Sequence, residues 1–115
     1  MLAKRNRLLA AEDFRSTMRT GLKVSSKAFV IYLKRDLSST QSRFGFVVAK
    51  AVGNAVVRNR LKRRLRELSK GFVNRAVVVD VVVRALPESA KLDWNALSSD
   101  YVAVVEKAFE RGRDR

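Results

Sequence analysis

The sequence has no cysteine and no histidine. Without cysteine there is no disulfide, no thiolate nucleophile and no cysteine-ligated metal. Without histidine the commonest general base and the commonest metal ligand are missing, so Ser-His-Asp and Cys-His mechanisms are excluded. Any reaction this chain takes part in has its chemistry carried by a partner. One proline and five glycines in 115 residues leave no flexible linker, and no internal repeat is visible, so residues 1–115 read as one domain. Long apolar runs are also lacking. Leu8 to Ala11 is ended by Glu12, and Ala76 to Val83 is interrupted by Asp80. Neither suits a signal peptide or a membrane span, and the reading is a cytoplasmic protein with no membrane association.

Acidic residues are scarce as well: eleven against twenty-five Lys and Arg, a formal net charge of +14. A hydrophobic content of 47% argues against disorder. A folded domain with this charge calls for a polyanion, and nucleic acid is the first candidate.

Periodicity orders the chain as α-β-β-β-α-β-α, an α+β domain with helices packed on one sheet. Residues 1–8, with Lys4, Arg5 and Arg7, read as a basic mobile arm, and residues 112–115 as a frayed tail. A helix is predicted from about Ala10 to Arg19, with Phe14 and Met18 on one face. Strands are predicted at Leu22 to Ser25, Ala28 to Arg35, Arg43 to Lys50 and Val77 to Arg84. In the second of these, Phe29 and Ile31 oppose Val30 and Tyr32. A last helix, from about Leu92 to Arg111, carries Trp94, Leu97, Tyr101, Val105 and Ala108 on one stripe.

The middle helix, predicted from Ala55 to Ser69 behind an Asn54 cap, carries the main signal. Residues 58 to 66 read RNRLKRRLR. At about 100° per residue, Leu61, Leu65, Leu68 and Phe72 share an arc of about 80°. Arg58, Asn59, Lys62, Arg63, Arg66 and Lys70 lie on the opposite side, and Arg60 and Arg64 flank the apolar stripe. These like charges repel one another, and the single Glu67 cannot neutralise them. A phosphate backbone can, through bidentate arginine pairs in a fixed array. Asn59 is placed among them to bond a sugar, phosphate or base edge. The tripeptide Arg-Asn-Arg also occurs at residues 5–7, where no amphipathic helix surrounds it.

The stretch Gly53-Asn54-Ala55-Val56-Val57-Arg58-Asn59-Arg60-Leu61-Lys62-Arg63 closely resembles the signature of the bacterial ribonuclease P protein subunit. Lys4 to Leu8 with Glu12-Asp13-Phe14, Phe29 to Tyr32, Phe46 to Lys50 and Asp80 to Arg84 resemble other parts of that family. The resemblance implies a protein that binds a large catalytic RNA and the single-stranded 5′ leader of precursor tRNA. The RNA and its Mg²⁺ ions perform the leader-removing hydrolysis, and the protein itself holds no cofactor, metal or small-molecule substrate. It implies that Asn54, Arg58, Asn59, Arg60, Lys62, Arg63 and Arg66 face the catalytic RNA. It implies a leader cleft of Phe14, Met18, Tyr32, Lys50 and Arg84 between the first helix and the open sheet face. Met18 stands where the family often has a second Phe, and Ala51 where a second basic residue often follows Lys50. A left-handed βαβ crossover at the basic helix is also implied, against the general right-handed rule. Two alternatives share the composition: a ribosomal or ribosome-assembly RNA-binding protein, and a membrane-surface binder. The second needs apolar residues free for lipid, whereas Leu61, Leu65 and Leu68 read as core.

Overall fold

The computed structural model describes residues 2–36, 38–75 and 77–113. The elements follow the expected order: α1 (Ala11–Thr20), β1 (Leu22–Ser25), β2 (Phe29–Arg35), β3 (Arg43–Val47), α2 (Ala55–Ser69), β4 (Val79–Ala85) and α3 (Trp94–Arg113). They build one four-stranded sheet in the order β1-β2-β4-β3. The β1/β2 and β2/β4 pairs are antiparallel, whereas β3 and β4 run parallel. A parallel pair needs a crossover, and α2 supplies it. This puts the basic helix beside β3, at one edge of the sheet.

The period-two alternation of the strands divides the sheet into two faces. One face carries Phe29, Ile31, Leu33, Phe44, Val81 and Val83, buried against Leu61 and Leu65 of α2 and Leu97, Tyr101 and Val105 of α3. Tyr101 is fully buried with its ring edge-on to Phe29, centroids 5.3 Å apart. Its hydroxyl lies 2.7 Å from Ser69 Oγ, which donates to Leu65 O at 2.6 Å. The tyrosine therefore donates to the serine, and no buried polar atom is left orphaned there. The other face carries Val30, Tyr32 and Val82, covered by Leu8, Phe14 and Met18.

Four local expectations are corrected. Residues 2–8 are a seated segment, not a mobile arm. Leu2 and Leu8 are buried, Asn6 Nδ2 donates to Ser42 O at 2.8 Å, and Leu8 N donates to Phe44 O at 2.9 Å. Two leucines gain by burial, and the open edge of β3 offers unpaired backbone groups for the segment to meet. Only Lys4 and Arg5 of its basic residues are fully exposed. Strand β3 stops at Val47, and Lys50 begins a short 3₁₀ turn, Lys50–Val52. Trp94 leaves the buried stripe of α3 and stands 43% exposed. Gly112 and Arg113, expected to fray, continue α3, and Gly112 is buried against Leu33. Residues 114–115 of the expected tail lie outside the described residues.

Candidate nucleic-acid interface

Helix α2 starts on a side-chain cap: Asn54 Oδ1 accepts from Val57 N at 3.0 Å. No acid occupies its first turn. The first cation, Arg58, follows within one turn of the positive end of the helix dipole, an arrangement that bound anions relieve. Leu61 and Leu65 are buried and Leu68 is half-buried, fixing the helix by its apolar side. Asn59, Arg60 and Arg63 are exposed, and Arg58, Lys62 and Arg66 are partly so. None of these five arginines and lysines, Arg58, Arg60, Lys62, Arg63 or Arg66, pairs with an acid among the described residues. Arg58 Nε donates to Gly53 O at 3.1 Å, which orients its guanidinium while leaving its terminal nitrogens open. Arg64 differs from its neighbours. Its guanidinium lies over the Trp94 ring, 5.3 Å from the centroid, and links α2 to α3. At the helix end Lys70 pairs with Glu67 at 3.2 Å, so Lys70 is partly neutralised.

The second part of the candidate interface lies between α1 and the sheet. Helix α1 is tied down by ions. Arg43 makes a two-point contact with Asp80, Nε to Oδ1 at 3.0 Å and a terminal nitrogen to Oδ2 at 2.9 Å. Its remaining nitrogen reaches Asp13 of α1 at 3.3 Å. The Asp80 carboxylate raises the Arg43 pKa above its ordinary value, chiefly through that hydrogen bond. Lys34 Nζ adds a bond of 2.7 Å to Ser16 Oγ. These tethers lay Phe14 directly on Gly45, where a Cβ would come within 2.5 Å of the ring. A side chain at position 45 would thus lift α1 from the sheet.

Phe14, Met18 and Tyr32 belong to one apolar cluster, so the structure brings these three predicted residues together. Tyr32 is buried at 9% exposure and forms floor, whereas Phe14 and Met18 are half-buried. Along the same face the register sets Val30 beside Arg84, and Arg84 beside Val47. Arg84 is exposed at this end, and so is Lys50 in its turn beyond β3. Sequence reasoning missed Lys23, which is exposed and sits opposite Tyr32 across the β1/β2 pair. The signal was there in the alternation of β1 but needed the strand register to be read. It placed Val30 on the Tyr32 face but did not name Val30 or Val47 among the cleft residues, though both join this apolar cluster.

Comparison with known proteins agrees with this geometry. The Ribonuclease P family model matches residues 2–109. The ribonuclease P protein component of Pseudarthrobacter chlorophenolicus is 44% identical over 112 residues, covering 96% of this chain and 82% of that protein. That of Kocuria rhizophila is also 44% identical, covering 96% of this chain and 98% of that protein. Among solved structures, the RNase P protein of Staphylococcus aureus superposes with a TM-score of 0.84 at 27% identity, over 90% of this chain and 94% of that one. The RNase P protein from Thermotoga maritima shares the fold with a TM-score of 0.76 at 24% identity, over 88% of this chain and 96% of that one. These similarities run along nearly the whole chain, and the chain belongs to the family of bacterial ribonuclease P protein components.

Proposed function

We propose that this chain binds the catalytic RNA of ribonuclease P through α2 and grips the 5′ leader of precursor tRNA in the cleft under α1. The observation that carries the reading is the row of α2 cations left without acid partners beside that cleft. Arg58, Arg60, Lys62, Arg63 and Arg66 supply phosphate contacts, with Asn59 and the free amide nitrogen of Asn54 available for sugar or base edges. Phe14 and Met18 offer apolar surface to leader bases, Tyr32 supports it from below, and Lys50 and Arg84 meet leader phosphates. Such contacts tolerate many leader sequences, because every base has a flat apolar face and every nucleotide a phosphate. Mature tRNA lacks the leader and forgoes these contacts, which favours product release.

In this reading the RNA subunit carries the catalysis with its own Mg²⁺, in the cytoplasm. The protein's cations near the scissile bond reduce phosphate repulsion and so the Mg²⁺ the RNA requires. The test is to add this chain to a bacterial ribonuclease P RNA at low Mg²⁺ and follow precursor tRNA cleavage. Restored cleavage with release of the leader is the expected result. No change over RNA alone, or capture of ribosomal RNA in preference to ribonuclease P RNA, refutes it.

A further inference from the structure

Between the N-terminal segment and α2 lies a groove of about 280 Å³. Leu9, Phe14, Phe46, Arg7, Lys62 and Arg66 contribute to its lining, and Tyr32 and Met18 do not. It is thus a different surface from the cleft under α1, with Leu8 and Phe14 shared between them. We propose that this groove holds the base of one unpaired nucleotide of the catalytic RNA; the proposal rests on the subunit reading above and adds a base-binding site to it.

Three features converge there. The first is apolar surface where water would be expected: Leu9 is 67% exposed, the most exposed large hydrophobic side chain among the described residues. The second is a hydrogen-bonding edge. Phe44 O accepts from Leu8 N, so the backbone of Phe44 faces the N-terminal segment. By the alternation of a parallel strand, the N–H and C=O of Phe46 face the same open edge. No backbone partner meets them among the described residues. They present one donor and one acceptor side by side, as a base edge requires. The third is charge. Lys62 and Arg66 are one helical turn apart and share a face, Arg7 joins them, and no acid among the described residues lines the groove.

A flat apolar ring with a polar edge and an attached phosphate satisfies all three features. A lipid chain would leave the Phe46 amide unpaired. The catalytic RNA is favoured over the leader because Lys62 and Arg66 belong to the α2 face, whereas the leader residues Tyr32, Lys50 and Arg84 take no part in this groove.

The experiment uses the full chain assembled on a bacterial ribonuclease P RNA. Base reactivity toward dimethyl sulfate and a carbodiimide is mapped with the wild-type protein and with Leu9→Asp. The wild type is expected to protect an unpaired base of the catalytic RNA. Leu9→Asp is expected to restore its reactivity and weaken RNA binding about tenfold. Because Leu9 is exposed, its thermal unfolding midpoint should match the wild type. A benzophenone amino acid at position 9 should crosslink to the same nucleotide. The proposal falls if no unpaired base is protected, if Leu9→Asp leaves the protection intact, or if the crosslink lands in the leader. Should the complex form and cleave precursor while every base stays reactive, only this groove assignment fails. Should no complex form at all, the subunit reading fails with it.

Discussion

At the scale of single residues, Phe14 is where the fold meets the proposed function. It lies on Gly45, lines the groove against α2 and belongs to the cleft cluster. Phe14→Ala is expected to weaken binding of leader-bearing precursor about tenfold, a loss in the range of one lost base stack, while mature tRNA binding changes little. Equal losses for both tRNAs in titrations with the holoenzyme would reduce Phe14 to a packing residue. Gly45→Ala attacks the same contact from below. Its Cβ would sit 2.5 Å from the Phe14 ring, so either the ring or α1 must move. A destabilisation of about 1–3 kcal/mol is expected in urea unfolding, together with loss of the precursor preference. An unchanged midpoint would mean that α1 adapts freely. The sequence suggested that Phe14 and Met18 share a face. The need for a glycine under the ring was not legible, because it depends on how closely a helix approaches a strand 31 positions away.

At the scale of elements, α1 is held by ions and α2 by leucines. Arg43 bridges Asp80 and Asp13, and Asp80 is buried. Arg43→Met leaves the Asp80 carboxylate without its main partner and should cost about 3 kcal/mol. Adding Asp80→Leu should recover most of that loss, because no buried charge then remains unpaired. Urea denaturation of the single and double variants decides it; a double variant no more stable than the single would show that the pair does not anchor α1. For α2, Arg58→Ala combined with Arg63→Ala removes two cations that no acid of the described residues neutralises. Binding to ribonuclease P RNA should weaken, and the slope of log affinity against log salt should fall by about two. An identical slope would mean that these side chains do not meet phosphate. The bounds of α2 were legible, since a cap, a leucine stripe and a cationic face all point the same way. The docking of residues 2–8 was not, because it answers an edge of β3 that exists only once the sheet has formed.

At the scale of the whole molecule, a net charge of +14 is tolerated because a large core is buried on one face of the sheet and a smaller one on the other. Tyr101 belongs to the large core. Burial pushes its phenol above the ordinary value of 10.0, with the Ser69 bond opposing in part. A raised pKa means that stability is complete below pH 10 and falls above it, because the unfolded chain loses the proton first. Alkaline unfolding curves should show Tyr101→Phe to be less sensitive than wild type above that pH, by at most about 1.4 kcal/mol per pH unit. Parallel curves for the two proteins would refute the coupling.

Composition and local pattern by themselves determined the element order, the two faces of the sheet strands and the cationic side of α2. Each of these depends on neighbours within a few residues, or on residue types alone. The tertiary structure decided what distant segments do to one another. The parallel pairing of β3 with β4 sets α2 at the sheet edge, and the Asp13–Arg43–Asp80 bridge sets the height of α1. Residues 2–8 turn from an apparent arm into one wall of a groove, and Arg64 turns from a flank of the cationic face into a cap on Trp94. Distances across a packed core follow from the volumes and registers of all its members together, and no local window of the sequence contains them.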